Sequence, residues 1–152
     1  MQHNADTITR LLQLIEESVH DISPKTELGE MTGEHFYELY DFPGNASVLA
    51  GSSQIPVRWR PGGGFYVDDR IGDLAWSKAL HIGRQVSRLP ESVINIQSEI
   101  ENFPYQPLKK SAWANVLETA VYIAAGCTGT AYNVLGFYDE PLSDYHNLMR
   151  QL

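Results

Sequence analysis

The apolar positions near the start of the chain predict an amphipathic helix. Five apolar side chains recur at offsets of 3, 4, 7 and 11 residues from the first, which is the spacing of one helical face: Ile8, Leu11, Leu12, Ile15 and Val19. Asp6 or Thr7 can cap this helix, and Ser23-Pro24 ends it.

Four later segments have the composition of strands. They cover residues 25–33, 55–60, 93–99 and 127–135. Short helical pieces are predicted at 34–39 and 46–50, on either side of the breaker Pro43-Gly44, and longer helices at 73–88 and 109–125. The last of these carries one stripe of Ala112, Val116, Ala120 and Ile123, and Gly126 suits the position after its end. A closing helix is predicted from Ser143. Strands that alternate with helices are typical of a parallel sheet built from βα units.

The spacing of the strands limits the architecture. Their predicted ends lie near Glu30, Arg60, Glu99 and Asn133, at intervals of 30 to 39 residues. A complete (β/α)₈ TIM barrel of roughly 250 residues gives each unit about 31 residues. The 152 residues of this chain therefore correspond to about half a barrel. The expected fold is a single α/β domain over 1–152, either a small open sheet or the second half of a barrel.

Composition and charge exclude several functions. The chain is 43% hydrophobic and 20% charged, as soluble globular proteins are. Its net charge of −8, with no basic cluster larger than Lys109-Lys110, argues against nucleic acid as a partner. No apolar run approaches the ~18 residues of a membrane span. The single cysteine, Cys127, and the spacing of the histidines indicate no disulfide framework and no metal site. We expect no metal or cofactor. A chain without disulfides is compatible with a cytosolic or an exported protein, so the sequence does not assign the cellular compartment.

The third predicted strand carries the clearest functional signal. Its alternation places Ile94, Ile96, Ser98 and Ile100 on one face, and Asn95, Gln97, Glu99 and Glu101 on the other. A buried parallel strand is normally apolar on both faces, and two amides with two carboxylates are costly to bury without partners. Either this face belongs to a functional site, or the strand lies at a sheet edge and the face is solvated.

Further polar and aromatic residues follow the strands at the edge where α/β proteins bind ligands. The candidates for substrate binding are Glu30, Arg58, Trp59, Arg60, Tyr66, Asp68, Tyr105 and Asn133. Trp59 and Tyr66 would act as flat platforms for a sugar ring, although a core position for Trp59 is an equal alternative. Glycines at 62–64 also permit a phosphate loop, but no Gly-Lys-Ser/Thr follows them.

Part of the chain resembles a known family. Residues 97–105 (Gln-Ser-Glu-Ile-Glu-Asn-Phe-Pro-Tyr), the pair Lys110-Ser111, and residues 124–132 (Ala-Ala-Gly-Cys-Thr-Gly-Thr-Ala-Tyr) carry the similarity. They resemble the seventh and eighth strands of TIM-barrel glycoside hydrolases of the β-galactosidase-like clan. In that family, a glutamate that ends strand seven is the nucleophile. The resemblance covers roughly residues 93–135, and elsewhere it extends only to the architecture.

The resemblance implies the carboxyl-terminal half of a barrel, strands five to eight, from a retaining glycoside hydrolase that acts on a carbohydrate. The family pattern needs one such glutamate, and both Glu99 and Glu101 fit it. We expect Glu99 to be the nucleophile because of its place at the end of the polar face of the third strand, with Glu101 as second choice. The Asn-Glu pair that marks the family's acid/base on strand four is absent, which implies that the first four strands are not in this chain. We therefore expect the chain alone not to hydrolyse glycosides, and to pair with an amino-terminal half-barrel or with itself.

Two other functions remain open at this point. One is a non-catalytic half-barrel that binds carbohydrate through its aromatic side chains. The other is an open α/β enzyme that acts on a phosphorylated metabolite, with Arg58, Arg60 and the glycines as the phosphate site.

Overall fold

The computed structural model describes residues 2–33, 41–63, 66–101 and 110–133, together with residues 143, 146 and 150. Four helices alternate with four strands in this part of the chain. In order they are α1 (Gln2–Ile22), β1 (Gly29–Thr32), α2 (Phe42–Ala50), β2 (Val57–Pro61), α3 (Ile71–Val86), β3 (Val93–Glu101), α4 (Ala112–Ala124) and β4 (Gly129–Asn133). A 3₁₀ turn, Asp68–Arg70, precedes α3. The predicted α/β alternation is confirmed. The predicted helix at 34–39 lies outside the described residues, and of the one predicted from Ser143 only residues 143, 146 and 150 are described. None of the described helices is long and apolar enough to cross a membrane.

The four strands form one parallel sheet in the order β1-β2-β3-β4. β3 is therefore an interior strand, and the alternative that its polar face belongs to a sheet edge is wrong. The strand order follows the chain order and does not reverse. Within the described sheet there is thus no switch point of the kind at which doubly wound α/β proteins bind their ligands.

Helices α2, α3 and α4 cover the same face of the sheet. Three contacts establish this: Trp59 with Phe42 of α2, at 5.5 Å between ring centroids, Thr32 with Gln85 of α3, and Tyr132 with Thr119 of α4. The register pairs Glu30 with Trp59, Trp59 with Ile96, and Ile100 with Tyr132, so these side chains share one face. We call the opposite face the open face. Its polar members are Arg58, Arg60, Asn95, Gln97, Glu99, Glu101 and Asn133.

The hydrophobic core lies between this sheet and the helices. Trp59 is one of its largest members and is only 1% exposed. It lies between Val57 and Pro61 in the alternation of β2, and all three side chains are buried against the helices. The prediction that Trp59 lines a sugar site is therefore wrong. Because neighbouring residues of a strand point to opposite faces, Trp59 cannot share the open face with Arg60.

Trp59→Ala is expected to destabilise the fold by about 3–5 kcal/mol, the usual cost of truncating a buried aromatic side chain. The free energy of unfolding from urea titration measures this effect. Trp76, which is 75% exposed on α3, provides the matched control, and Trp76→Ala should change stability by no more than about 0.5 kcal/mol. Equal effects of the two substitutions would contradict the core position of Trp59.

A bulge in β3 changes one detail of the predicted alternation. The register passes from Val57 opposite Val93 to Arg58 opposite Asn95, so two residues of β3 advance against one of β2. Such a bulge re-aims the extra residue, and Ile94 is accordingly 58% exposed instead of buried. Beyond the bulge the alternation is regular. Ile96, Ser98 and Ile100 are buried against the helices, and the predicted polar face is confirmed.

Helix α2 begins earlier than the sequence predicts. Pro43-Gly44 was expected to separate two helical pieces, but both residues lie in the first turn of α2. Proline is tolerated there because its missing N–H would have no partner in the helix. The side chain of Asp41 caps the turn by accepting a hydrogen bond from the Gly44 N–H at 3.1 Å.

The buried face of helix α4 does not coincide with the apolar stripe seen in its sequence. Its buried residues are Ala114, Asn115, Glu118 and Tyr122. Of the residues in that stripe, Ala112 and Val116 are half-buried, and Ala120 and Ile123 are exposed. The polar residues on the inner side of α4 belong to a cluster at the end of the sheet, which is described below. Gly126 follows this helix with a φ of 107°, as the sequence predicts.

Candidate functional site

The site is built on the open face, where β2, β3 and β4 end. Glu99 of β3 lies beside Arg60 of β2, with 2.8 Å between Oε1 and Nη2. The two side chains are 29% and 32% exposed, so solvent screens this ion pair only in part. The guanidinium attracts the carboxylate charge and holds the side chain in one orientation.

A second carboxylate lies one step further along the same face. Glu101 is the last residue of β3, and its Oε2 accepts a hydrogen bond from the Tyr66 hydroxyl at 2.7 Å. Asn133, the last residue of β4, is its register partner and lies on the same face. The structure thus brings together five of the residues that the sequence singled out: Arg60, Tyr66, Glu99, Glu101 and Asn133.

Glu30 does not belong to this group, which corrects the prediction. It is the register partner of Trp59 and therefore faces the helices. Its Oε1 accepts a hydrogen bond from Asn45 Nδ2 of α2 at 3.2 Å. Burial raises the pKa of Glu30, and the bond from Asn45 opposes that rise. The sequence interpretation failed because it placed Glu30 by its nearness to the strand end and ignored which face it occupies.

Arg58 and Asp68 are engaged elsewhere. Arg58 lies on the open face, but near the start of β2, where its Nε is 2.7 Å from Glu27 Oε2. Asp68 Oδ1 accepts a hydrogen bond from the Ser111 N–H at 2.8 Å, and Ser111 caps α4. Both contacts favour structural roles over the predicted contact with substrate. Tyr105, also predicted to bind substrate, lies outside the described residues.

A buried charged cluster supports the end of β3, and sequence reasoning missed it. The lysine cluster comprises Lys110, Glu118 and Tyr122. Lys110 Nζ donates a hydrogen bond to the carbonyl oxygen of Glu101 at 2.9 Å and forms an ion pair with Glu118 Oε2. The side chains of Lys110 and Glu118 are 1% and 0% exposed. Burial lowers the pKa of Lys110, while the charge of Glu118 opposes this.

Tyr122 extends the lysine cluster to the end of β2. Its hydroxyl lies 2.9 Å from Glu118 Oε1 and also contacts the carbonyl oxygen of Gly63. The cluster therefore fastens the backbone after β2 and the last residue of β3 to α4. It fixes the strand ends that carry Arg60, Glu99 and Glu101. The sequence did contain a signal, because Glu118 is the only charged residue among the 13 of α4.

The glycine segment after β2 packs against the end of β1. The Gly62 N–H donates to the Thr32 carbonyl oxygen at 2.7 Å, and a Cβ at Gly62 would lie 2.6 Å from that oxygen. Glycine is therefore needed here for a close approach of two backbones. This N–H has a partner within the chain, and Arg60 is paired with Glu99. Both observations weigh against the phosphate-loop alternative.

Two other kinds of chemistry lack support in the described residues. Burial raises the pKa of the Cys127 thiol to about 11, so it stays protonated at neutral pH and is a poor nucleophile. Within residues 2–33, 41–63, 66–101 and 110–133, no three histidine, cysteine or acidic side chains are grouped so that they could hold a metal ion. The chemistry that the described site offers is that of its two carboxylates.

The comparisons with known proteins assign no family. No family model, curated protein or solved structure matches this chain. The class is therefore defined by the molecule itself: an α/β protein with a four-stranded parallel sheet and a pair of carboxylates where its third strand ends.

Proposed function

We propose that this chain is the carboxyl-terminal half of a (β/α)₈ barrel and carries the nucleophile of a retaining glycoside hydrolase. The observation that carries the proposal is the position of Glu99 and Glu101. Both are half-buried at the carboxyl end of an interior strand, and both are oriented by neighbours, Arg60 at 2.8 Å and Tyr66 at 2.7 Å. An unreversed strand order supports the barrel, because sequential parallel neighbours are what a barrel requires.

The reaction assigns distinct tasks to two carboxyl groups roughly 5–5.5 Å apart. Glu99 attacks the anomeric carbon as the bond to the leaving oxygen breaks, and it forms a glycosyl ester. An acid gives its proton to that oxygen, and a water molecule then hydrolyses the ester. Glu99 is the proposed nucleophile because Arg60 stabilises its charge, with Glu101 as the second choice. In the family that the chain resembles, the acid lies on strand four, which we assign to the other half of the barrel.

A fluorosugar with a dinitrophenyl leaving group tests this proposal. Such a leaving group departs without protonation, so trapping of the nucleophile does not require the acid. We expect the intact mass to rise by one fluoroglycosyl group, with the label on a peptide that contains residues 93–101. Galacto- and gluco-configured reagents are used side by side. A natural disaccharide, whose leaving group needs protonation worth about 10²–10⁴-fold in rate, is expected to stay intact.

The outcomes separate the alternatives. Folded protein that gains no label from either sugar contradicts the glycosidase proposal. If galactose or glucose then still raises the melting temperature, the chain is a carbohydrate-binding half-barrel. A rise with inorganic phosphate alone indicates an enzyme for phosphorylated metabolites.

A further inference from the structure

Two helices of the described chain expose apolar stripes. The α1 stripe consists of Leu11, Leu14, Ile15 and Ile22, and the α4 stripe consists of Trp113, Leu117, Ala120 and Ile123. The large side chains of both stripes are between 40% and 88% exposed. Contiguous exposed apolar surface of this kind marks interaction sites in soluble proteins.

The α4 stripe is the more informative of the two. This helix turns Ala114, Asn115, Glu118 and Tyr122 inward and also exposes an apolar stripe, whereas an ordinary surface helix has a polar outer side. Its only charged residue is buried, so its outer surface offers no charge to water. Burial of this stripe against another protein would therefore require no desolvation of a charged side chain of α4.

The two stripes lie on the first and the last of the four described helices. α1 packs beside α2 and contacts the segment before β1 through His20 and the Thr26 carbonyl oxygen, and α4 packs beside α3 and contacts β4 through Thr119 and Tyr132. β1 and β4 are also the two edge strands of the described sheet, and all of its strands run in the same direction. Each edge thus combines an unpaired strand with a helix whose apolar stripe has no partner among the described residues.

These two edges are complementary to each other. If β4 of one copy pairs in parallel with β1 of another, the helix that precedes this β1 lies beside α4, just as α4 lies beside α3. The α1 stripe would then pack on the α4 stripe. In a two-fold dimer this β4–β1 contact forms twice and no strand edge stays unpaired. The eight parallel strands then close into a barrel with a filled interior.

We infer that the chain associates with a second copy of itself, edge to edge, with the α1 stripe of one copy against the α4 stripe of the other. The inference rests on the half-barrel of the proposed function but not on its chemistry. The second copy takes the place of the amino-terminal half, so the closed dimer contains no strand-four acid. A second copy is favoured because the chain itself carries both surfaces of this contact, β1 with the α1 stripe and β4 with the α4 stripe. The enclosed open face is also balanced in charge, with Arg58 and Arg60 against Glu99 and Glu101.

Sedimentation velocity tests the association. The wild-type chain is expected to sediment as a dimer, and Leu14→Glu on α1 and Leu117→Glu on α4 should each produce a monomer. Trp76→Glu is the control, because Trp76 is an apolar residue of α3 that lies outside both stripes and is 75% exposed, more than Leu14 at 53% and Leu117 at 40%. It should leave the dimer intact. A monomeric wild-type chain, or a dimer that persists in either stripe variant, overturns the inference.

Cysteine cross-linking tests which surfaces meet. A chain with Ile15→Cys is mixed with a chain with Leu117→Cys, and a short bismaleimide is added; the native Cys127 is buried. Cross-linked product is expected in the mixture and not with either chain alone. Self-linking of Ile15→Cys would show that α1 packs on α1 and would overturn the arrangement. Failure of fluorosugar labelling leaves both readouts unaffected, so the two proposals can fail separately.

Discussion

Glu99→Gln is expected to slow fluorosugar labelling by several orders of magnitude while leaving sugar binding nearly unchanged. The amide has the shape of the carboxylate, but it carries no charge with which to attack the anomeric carbon. Arg60 loses the charge of its partner but keeps an amide oxygen as acceptor, and both side chains are partly solvated, so the fold should lose little stability. The rate of mass gain measures the chemistry, and the shift in melting temperature with galactose or glucose measures binding.

Glu101→Gln is the matched control for this prediction, because Glu101 lies on the same strand and the same face. Labelling should persist in this variant, with the sugar attached to Glu99. If instead Glu101→Gln abolishes labelling and Glu99→Gln does not, Glu101 is the nucleophile and the roles are exchanged. If neither substitution changes the rate, the label lies elsewhere and the glycosidase proposal fails.

The open face could be predicted from the sequence because a strand has a strict period of two. The alternation of Gln97, Glu99 and Glu101 with Ser98 and Ile100 is visible without a structure, and it holds. The same rule could have separated Trp59 from Arg60, because adjacent residues cannot share a face. The exposure of Ile94 could not be foreseen, since a bulge depends on the register with the neighbouring strand.

The inner face of α4 illustrates a different limit. Periodicity identifies an apolar stripe, and the usual assumption is that this stripe is buried. In α4 the buried face includes Glu118, whose partner Lys110 comes from outside the helix. A helix pattern contains no information about a partner elsewhere in the chain. In α4 the apolar stripe and the buried face therefore differ, because the buried face contains one side of an ion pair.

Lys110→Met is expected to destabilise the protein by about 3–5 kcal/mol, because it leaves the charge of Glu118 buried without compensation. Replacement of both partners, Lys110→Met with Glu118→Met, should restore most of this loss, since an apolar pair of similar volume avoids the desolvation cost. A residual loss of about 1 kcal/mol is expected from the hydrogen bond to the Glu101 carbonyl oxygen, which methionine cannot make. Urea titration of the wild type, both single variants and the double variant measures the coupling.

Lys25, which is exposed, supplies the control: Lys25→Met should change stability by no more than about 0.5 kcal/mol. A double variant as unstable as Lys110→Met alone would contradict the expectation that the orphaned charge causes the loss.

A stable double variant has a further use. In that variant no lysine would hold the Glu101 carbonyl oxygen, while the Tyr122 hydroxyl of α4 would still contact Gly63. Fluorosugar labelling of that variant would then report how far the position of the β3 end, rather than the stability of the fold, governs the proposed reaction.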